Sequence, residues 1–191
     1  MSSNLSHRNR KTIRLRNYDY SKPGAYFVTM CVLDRTCIFG EIKNNKMHLN
    51  EFGEILNSTW NDLPNHIENI VLDEFIIMPN HVHGIIIIQE TKEPADSGTK
   101  NDYTLSEIIR QLKTLSARRI NQARKTPGIS IWQRSFFDHI GRDESDLYLT
   151  RQYIQNNPLN WDSDDENPEG KSPKFVRMLN PQIRNILTVP D

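Results

Sequence analysis

The stretch IIMPNHVHGIIII, Ile76–Ile88, decides how this chain folds. Apolar residues rich in β-branched side chains stand on both sides of Pro79-Asn80, which is the pattern of two buried strands around a reversal. Proline presets φ at one centre of a tight turn and asparagine tolerates a positive φ at the next. The strand His81 to Gln89 is therefore expected to pair antiparallel with NIVLDEFIIM, which precedes it. Side chains alternate along a strand, so His81 and His83 project the same way, about 7 Å apart. Ile85 and Ile87 continue that face, and Val82, Gly84, Ile86 and Ile88 form the other. Two imidazoles side by side can hold one divalent cation. Two half-exposed strand histidines bonded to neighbours give the same pattern, and a His-x-His pair alone does not choose between them.

Upstream, GAYFVTMCVL (Gly24–Leu33) reads as a strand, and CIFGEIKNNKMHLN as two short strands joined by Asn44-Asn45, a hairpin turn type. From Asn50, the residues Phe52, Ile55, Leu56, Trp60 and Leu63 recur at helical spacing until Pro64. Downstream, residues 90–103 form a polar loop. Thr104 and Glu107 then make a capping box that opens a helix. Leu105, Ile108, Ile109, Leu112, Leu115, Ile120 and Ala123 mark its apolar side, and Arg110, Lys113, Arg118, Arg124 and Lys125 its basic side. Arg119 points toward the apolar side, which suits an ion pair with a buried acid. WQRSFFDHIGR is a candidate last strand whose aromatics alternate poorly. DESDLYLTRQYIQNN is a last helix with Asp143 at its N-cap and Pro158 past its end. Strands in pairs, broken up by helices, predict an α+β fold: a ferredoxin-like (RRM-like) antiparallel sheet with helices packed on it. Three segments follow: a basic arm over 1–22, a folded domain over 23–160, and a polar Pro/Asp/Asn-rich tail over 161–191.

The chain's 191 residues suit one domain with a real core. Its 24 basic and 24 acidic side chains cancel, so net charge excludes nothing. The local balance is more informative. Arg8, Arg10, Lys11, Arg14, Arg16 and Lys22 face a single acid, Asp19, in residues 1–22, and the helix from Thr104 is as basic. Residues 143–170 reverse the sign, with Arg151 their lone base. Basic segments of this kind fit a solvated surface or a nucleic-acid backbone. Cys31 and Cys37 form no CxxC motif and read as reduced thiols of a cytosolic protein. No secretory signal leads the chain, and its apolar runs are far shorter than a membrane span.

Three patterns that complete a His-x-His site are missing. No Ser and Asp follow at protease spacing, no second His-x-Ser/Thr occurs, and no H-E-x-x-H is present. The last helix offers partners instead. Tyr153 and Asn157 lie four residues apart and share one helical face. An amide oxygen can ligate a hard cation, and a phenol can attack phosphorus. A phenol with a pKa near 10 is a weak nucleophile at neutral pH, and a cation on the scissile phosphate lowers that barrier. A packed tyrosine and a helix C-cap are the ordinary readings of the same two residues. Tyr148 is a rival nucleophile, about 140° away around the helix.

With these residues in view, the sequence resembles the HUH-type single-tyrosine transposases, in particular the REP-associated tyrosine transposase group with its IS200-like domain. The resemblance runs from about Arg10 to Pro168. It rests on TIRLRNYDYSKPGAYFVTMCV, LDEFIIMPNHVHGIIII, IWQRSFFDHIGRDESDL and YIQNNPLNW, in the family's order. It implies that His81 and His83 bind a divalent metal, Mg²⁺ or Mn²⁺, that Asn157 is a third ligand, and that Tyr153 is the catalytic tyrosine. His139 falls on a recurrent motif histidine and is a possible supporting ligand. The implied reaction is cleavage of single-stranded DNA near hairpins or palindromes, leaving a 5′-phosphotyrosine and a 3′-hydroxyl that can later rejoin the strand. The resemblance also implies a cytoplasmic, nucleoid-associated protein of a prokaryote, a monomer or homodimer, with no membrane partner.

On that reading Arg10, Lys11, Arg14 and Arg16 would wrap a hairpin backbone, while Arg110, Lys113, Arg118 and Arg134 would contact phosphates. Trp132 with Phe136 or Phe137 would stack bases. Two rivals stand beside it: a DNA-hairpin-binding protein that no longer cuts, and a metal hydrolase that uses water.

Overall fold

The computed structural model describes residues 18–90 and 103–170. Arg10, Lys11, Arg14 and Arg16, most of the polar loop and the end of the tail lie outside the described residues.

Six strands and three helices follow in the order β1 (Gly24–Cys31), β2 (Gly40–Lys43), β3 (Lys46–Leu49), α1 (Glu51–Asn61), β4 (Ile70–Ile77), β5 (His81–Ile88), α2 (Leu105–Ala123), β6 (Phe137–Ile140) and α3 (Glu144–Asn156). The main sheet has the order β4-β5-β1-β6, and every neighbouring pair is antiparallel. With β2 and β3 set aside as a separate hairpin, this is the ferredoxin-like order expected from the sequence. Asn44 and Asn45 carry φ of 52° and 60°, the left-handed pair that a two-residue hairpin with the strands' own twist requires.

The helices start where the capping residues put them. Asn50 accepts from the Phe52 and Gly53 amides, the Thr104–Glu107 capping box closes in both directions, and Asp143 accepts from the Asp146 amide. Helices α1 and α2 cover one face of the sheet. There Tyr26, Val28, Met30, Ile86 and Ile88 meet Leu56, Trp60, Ile108, Ile109 and Leu112 in the main core. Helix α3 covers the other face over a much smaller apolar patch, Phe27, Ile85 and Ile154. Among the described residues no helix is long and apolar enough to cross a membrane.

Four details differ from expectation. Asn80 keeps a negative φ, because its side chain rather than its backbone freedom is what the turn uses. Strand β6 is only four residues long. Upstream of it, Trp132 turns its indole into the core and donates to Ser116 Oγ at 3.0 Å, and Lys113 Nζ takes the carbonyls of Gln133 and Ser135 at 2.9 Å each. These contacts divert the chain from the ladder and leave only a Val32–Trp132 bridge. Trp132 is thus a core residue and not a base-stacking platform. Arg119 does bind an acid, Asp62, at 2.9 Å, but that carboxylate is half-exposed. Finally, residues 161–170, read from composition as tail, fold back onto His81, with Trp161 against its ring and Asp164 beside it.

Candidate metal centre and nucleophile

The register of β1 and β5 sets the site. Cys31 lies opposite His81, and Thr29 opposite His83. Both imidazoles stand on the face that α3 covers, and both are buried, His81 at 0 % and His83 at 4 % exposure. Gly84 follows because the Trp60 ring lies flat against the strand from the other face, where any Cβ would collide with it.

The two rings meet at their Nε2 atoms, 3.0 Å apart. Each Nδ1 is held from behind, His81 by Asn80 Oδ1 at 2.8 Å and His83 by Thr29 Oγ1 at 2.8 Å. The Asn80 amide can face only one way. Its Nδ2 donates to the carbonyls of Arg35 at 2.9 Å and Glu166 at 2.6 Å, so its oxygen must receive the His81 Nδ1 proton. That leaves His81 Nε2 with a free lone pair, the tautomer a metal ligand needs. Burial pushes the His81 pKa down to about 3, and burial with His81 nearby pushes His83 well below the usual histidine range. Both rings are neutral at neutral pH, ready to ligate without first losing a proton.

Asn157, the C-cap of α3, places its amide beside these rings. It lies close enough to His81 and to the Tyr153 hydroxyl to shift the proton affinity of both. The residue is 2 % exposed, and its Oδ1 has no hydrogen-bond partner. A buried, unpartnered amide oxygen is costly unless a ligand satisfies it. Next to two neutral imidazoles it fits a divalent cation. Tyr153, one turn earlier, stacks edge-on against His83 with ring centroids 5.2 Å apart and against Phe27 at 5.9 Å. Burial, then the Asp164 carboxylate, push its phenol well above the ordinary value, and the Asn157 amide opposes that rise. Tyr148, the rival nucleophile, is 59 % exposed.

These positions can now be set against known proteins. A family model described as Transposase IS200 like matches residues 31–157, which hold both histidines, the tyrosine and Asn157. The chain belongs to the IS200-like transposase family. An uncharacterised Haemophilus influenzae protein is 38 % identical over 169 residues, 81 % of this chain and 91 % of that protein. A second, provisionally named REP-associated tyrosine transposase, is 30 % identical over 148 residues, covering 76 % and 77 %. A solved structure of a REP-associated tyrosine transposase bound to a REP hairpin superposes with a TM-score of 0.55 at 20 % identity, over 77 % of this chain and 73 % of that one, and shares its fold.

The other expected residues of this IS200-like chain fall less centrally. His139 is engaged within the protein. Its Nε2 bonds Asp146 Oδ2 at 2.9 Å, and the same carboxylate accepts from the Arg142 amide, so the histidine ties β6 to the first turn of α3. Arg110 and Arg118 are exposed on α2, across the sheet from the site. Lys113 spends its ammonium on two carbonyls and the Phe136 ring. Arg134 is exposed in an open groove with Arg35, Gln133 and Ser135.

Three groups escaped the sequence reading. Asp73 sits in a β-bulge between Leu72 and Phe75 and takes three hydrogen bonds from Arg151, two residues before Tyr153. The polar pair Asp73-Glu74, which interrupts an otherwise apolar strand, was the available signal. Asn80 was read for its backbone alone. Asp164, from the presumed tail, brings a carboxylate to His81.

Proposed function

We propose that this chain is a metal-dependent single-stranded DNA endonuclease and strand transferase with Tyr153 as its nucleophile. One arrangement carries the reading: two neutral imidazoles with their Nε2 atoms 3.0 Å apart, an unpartnered buried amide oxygen beside them, and a phenol ring packed on the second imidazole. His81, His83 and Asn157 would hold Mg²⁺ or Mn²⁺, which polarises the scissile phosphate and offsets its charge. The Tyr153 oxygen attacks phosphorus, and the bond to the 3′ oxygen breaks. The products are a 5′-phosphotyrosine and a free 3′-hydroxyl, whose return attack rejoins the strand with no energy cofactor. A phenol is protonated at neutral pH and burial raises its pKa further, so its proton leaves as the new bond forms, passing to solvent, from which the departing 3′ oxygen takes one up. Asn157, beside the hydroxyl, orients it.

Tyr153 packs on the sheet of its own chain beside His83, which supports a reading in which the tyrosine acts in cis. The substrate class is hairpin DNA, as in the solved relative with its REP hairpin. Arg134, Arg110 and Arg118, with the arm residues Arg10, Lys11, Arg14 and Arg16, would neutralise its phosphates. The arm ends near residue 22 and the tail begins near residue 160, its first stretch, 161–170, packing back on the site, and the protein works in the cytoplasm at the nucleoid.

The test is a labelled hairpin oligonucleotide with a single-stranded flank, incubated with Mn²⁺. The expected result is a denaturant-stable protein–DNA adduct that disappears in Tyr153→Phe and on chelation. Cutting that survives Tyr153→Phe would identify a water-using hydrolase. Tight binding with neither cutting nor adduct would identify a hairpin-binding protein.

A further inference from the structure

Among the described residues, Asp164 is the one carboxylate that clusters with the histidine pair. It leaves a short 3₁₀ turn, Asn157–Ser163, that runs directly from Asn157. Its Oδ1 accepts from the Glu166 amide at 2.7 Å, which fixes the carboxylate and leaves Oδ2 free. Oδ2 lies 3.9 Å from His81 Nε2. That is too long for a hydrogen bond. It does suit two ligands of one cation, since metal–donor bonds of about 2.0–2.2 Å put their donors roughly 3 to 4.3 Å apart. The 3.0 Å between the two imidazole nitrogens falls in the same range. The candidate donor atoms of His81, His83 and Asp164 all lie within 4.8 Å of one another.

The carboxylate is also tied down. Arg35 donates to the Asp165 carbonyl at 2.9 Å and pairs with the Glu166 carboxylate at 3.0 Å. Asn80 donates to the Glu166 carbonyl with the same amide whose oxygen orients His81. One side chain thus fixes both a ligating histidine and the segment that brings Asp164.

We propose that Asp164 is a further ligand of the cation held by His81, His83 and Asn157, delivered by a strap that Asn80 and Arg35 hold against the site. The proposal rests on the metal-dependent reading above. It makes the set two nitrogens and two oxygens with one negative charge, harder than imidazoles alone, which shifts preference toward Mn²⁺ and away from Zn²⁺. It also makes Tyr153, Asn157 and Asp164 one continuous delivery, in which a single short segment sets nucleophile and two ligands together.

The experiment titrates Mn²⁺ into the full-length protein and follows free Mn²⁺ by electron paramagnetic resonance. Wild type, Asp164→Asn, Asp164→Glu and His83→Ala are compared, with apo unfolding midpoints confirming that each folds. Asp164→Asn is expected to weaken Mn²⁺ binding about tenfold or more, taking as a floor the effect of losing a group that only supports a ligand. Asp164→Glu should recover part of the loss, and His83→Ala should abolish binding. The Co²⁺ absorption bands of Asp164→Asn should differ from those of wild type. Wild-type affinity and an unchanged Co²⁺ spectrum in Asp164→Asn, with binding lost in His83→Ala, would overturn the ligand assignment alone. Equal Mn²⁺ binding by wild type and His83→Ala would overturn the metal centre itself.

Discussion

The two faces of the main sheet are built for different tasks. Strand β5 shows both at once, since Ile85 and Ile86 are neighbours, each fully buried, on opposite sides. Behind Ile86 lies the broad apolar layer under α1 and α2, anchored by Trp60 stacked on Phe75. Behind Ile85 only three residues are fully buried, with half-buried neighbours such as Ile76, Ile87 and Leu147 around them, and polar ties fix α3 as well. Arg151 bonds Asp73, His139 bonds Asp146, and Asn80 holds both His81 and the strap. A large oily face gives stability but tolerates small shifts of its helices. A face held by directional bonds gives less stability and sets angles, which aiming a phenol at a phosphate requires.

The sharpest way to break this contrast is at the histidines. Replacing His81 or His83 with alanine should reduce hairpin cleavage by at least about a hundredfold, the metal's contribution being several kcal/mol, while the apo protein still unfolds cooperatively. Gel assays of cleavage beside calorimetry on the same samples would show it. Ile86→Ala should do the reverse. It should cost about 2–5 kcal/mol of stability in denaturant unfolding and leave cleavage per folded molecule near wild type.

The ties of α3 come next. Arg151→Ala and His139→Gln should each lower the cleavage rate about tenfold by loosening the tyrosine helix, with much smaller changes in hairpin affinity, since each side chain is spent on a carboxylate of the protein itself. Rate and affinity measured separately would reveal an unequal effect. The smallest expected effect is one of pH. Arg151 holds the Asp73 carboxyl below the usual carboxylate range. A depressed folded pKa stabilises above the unfolded value of about 3.9 and loses that contribution as pH falls through the folded value. The difference in unfolding midpoint between wild type and Asp73→Asn should be full at pH 6 and shrink as pH falls below about 4.

What the sequence made legible follows from range. The Pro79-Asn80 reversal, the Asn44-Asn45 hairpin and the three capped helices are local chemistry, and they stand where the residues put them. The site was half legible for the same reason. His81 with His83, and Tyr153 with Asn157, are spacings of two and four within one element. Asp164, Asp73 and the amide of Asn80 act across the fold, so composition reported the first as tail, the second as a polar interruption and the third as a turn former. His139 shows the converse. Its type and motif suggested a supporting ligand, and the position of Asp146 adds a tie between β6 and α3 that the sequence did not show.

The central claim is that the phenol of Tyr153, and no other, meets the phosphate at the histidine pair. Trypsin separates the candidates, because Arg142, Arg151 and Lys171 place Tyr148 in Asp143–Arg151 and Tyr153 in Gln152–Lys171. Mass spectrometry of the DNA-linked peptide from a Mn²⁺ reaction should find the nucleotide on Gln152–Lys171. A nucleotide on Asp143–Arg151, or hairpin cleavage with no linked peptide, would contradict the account.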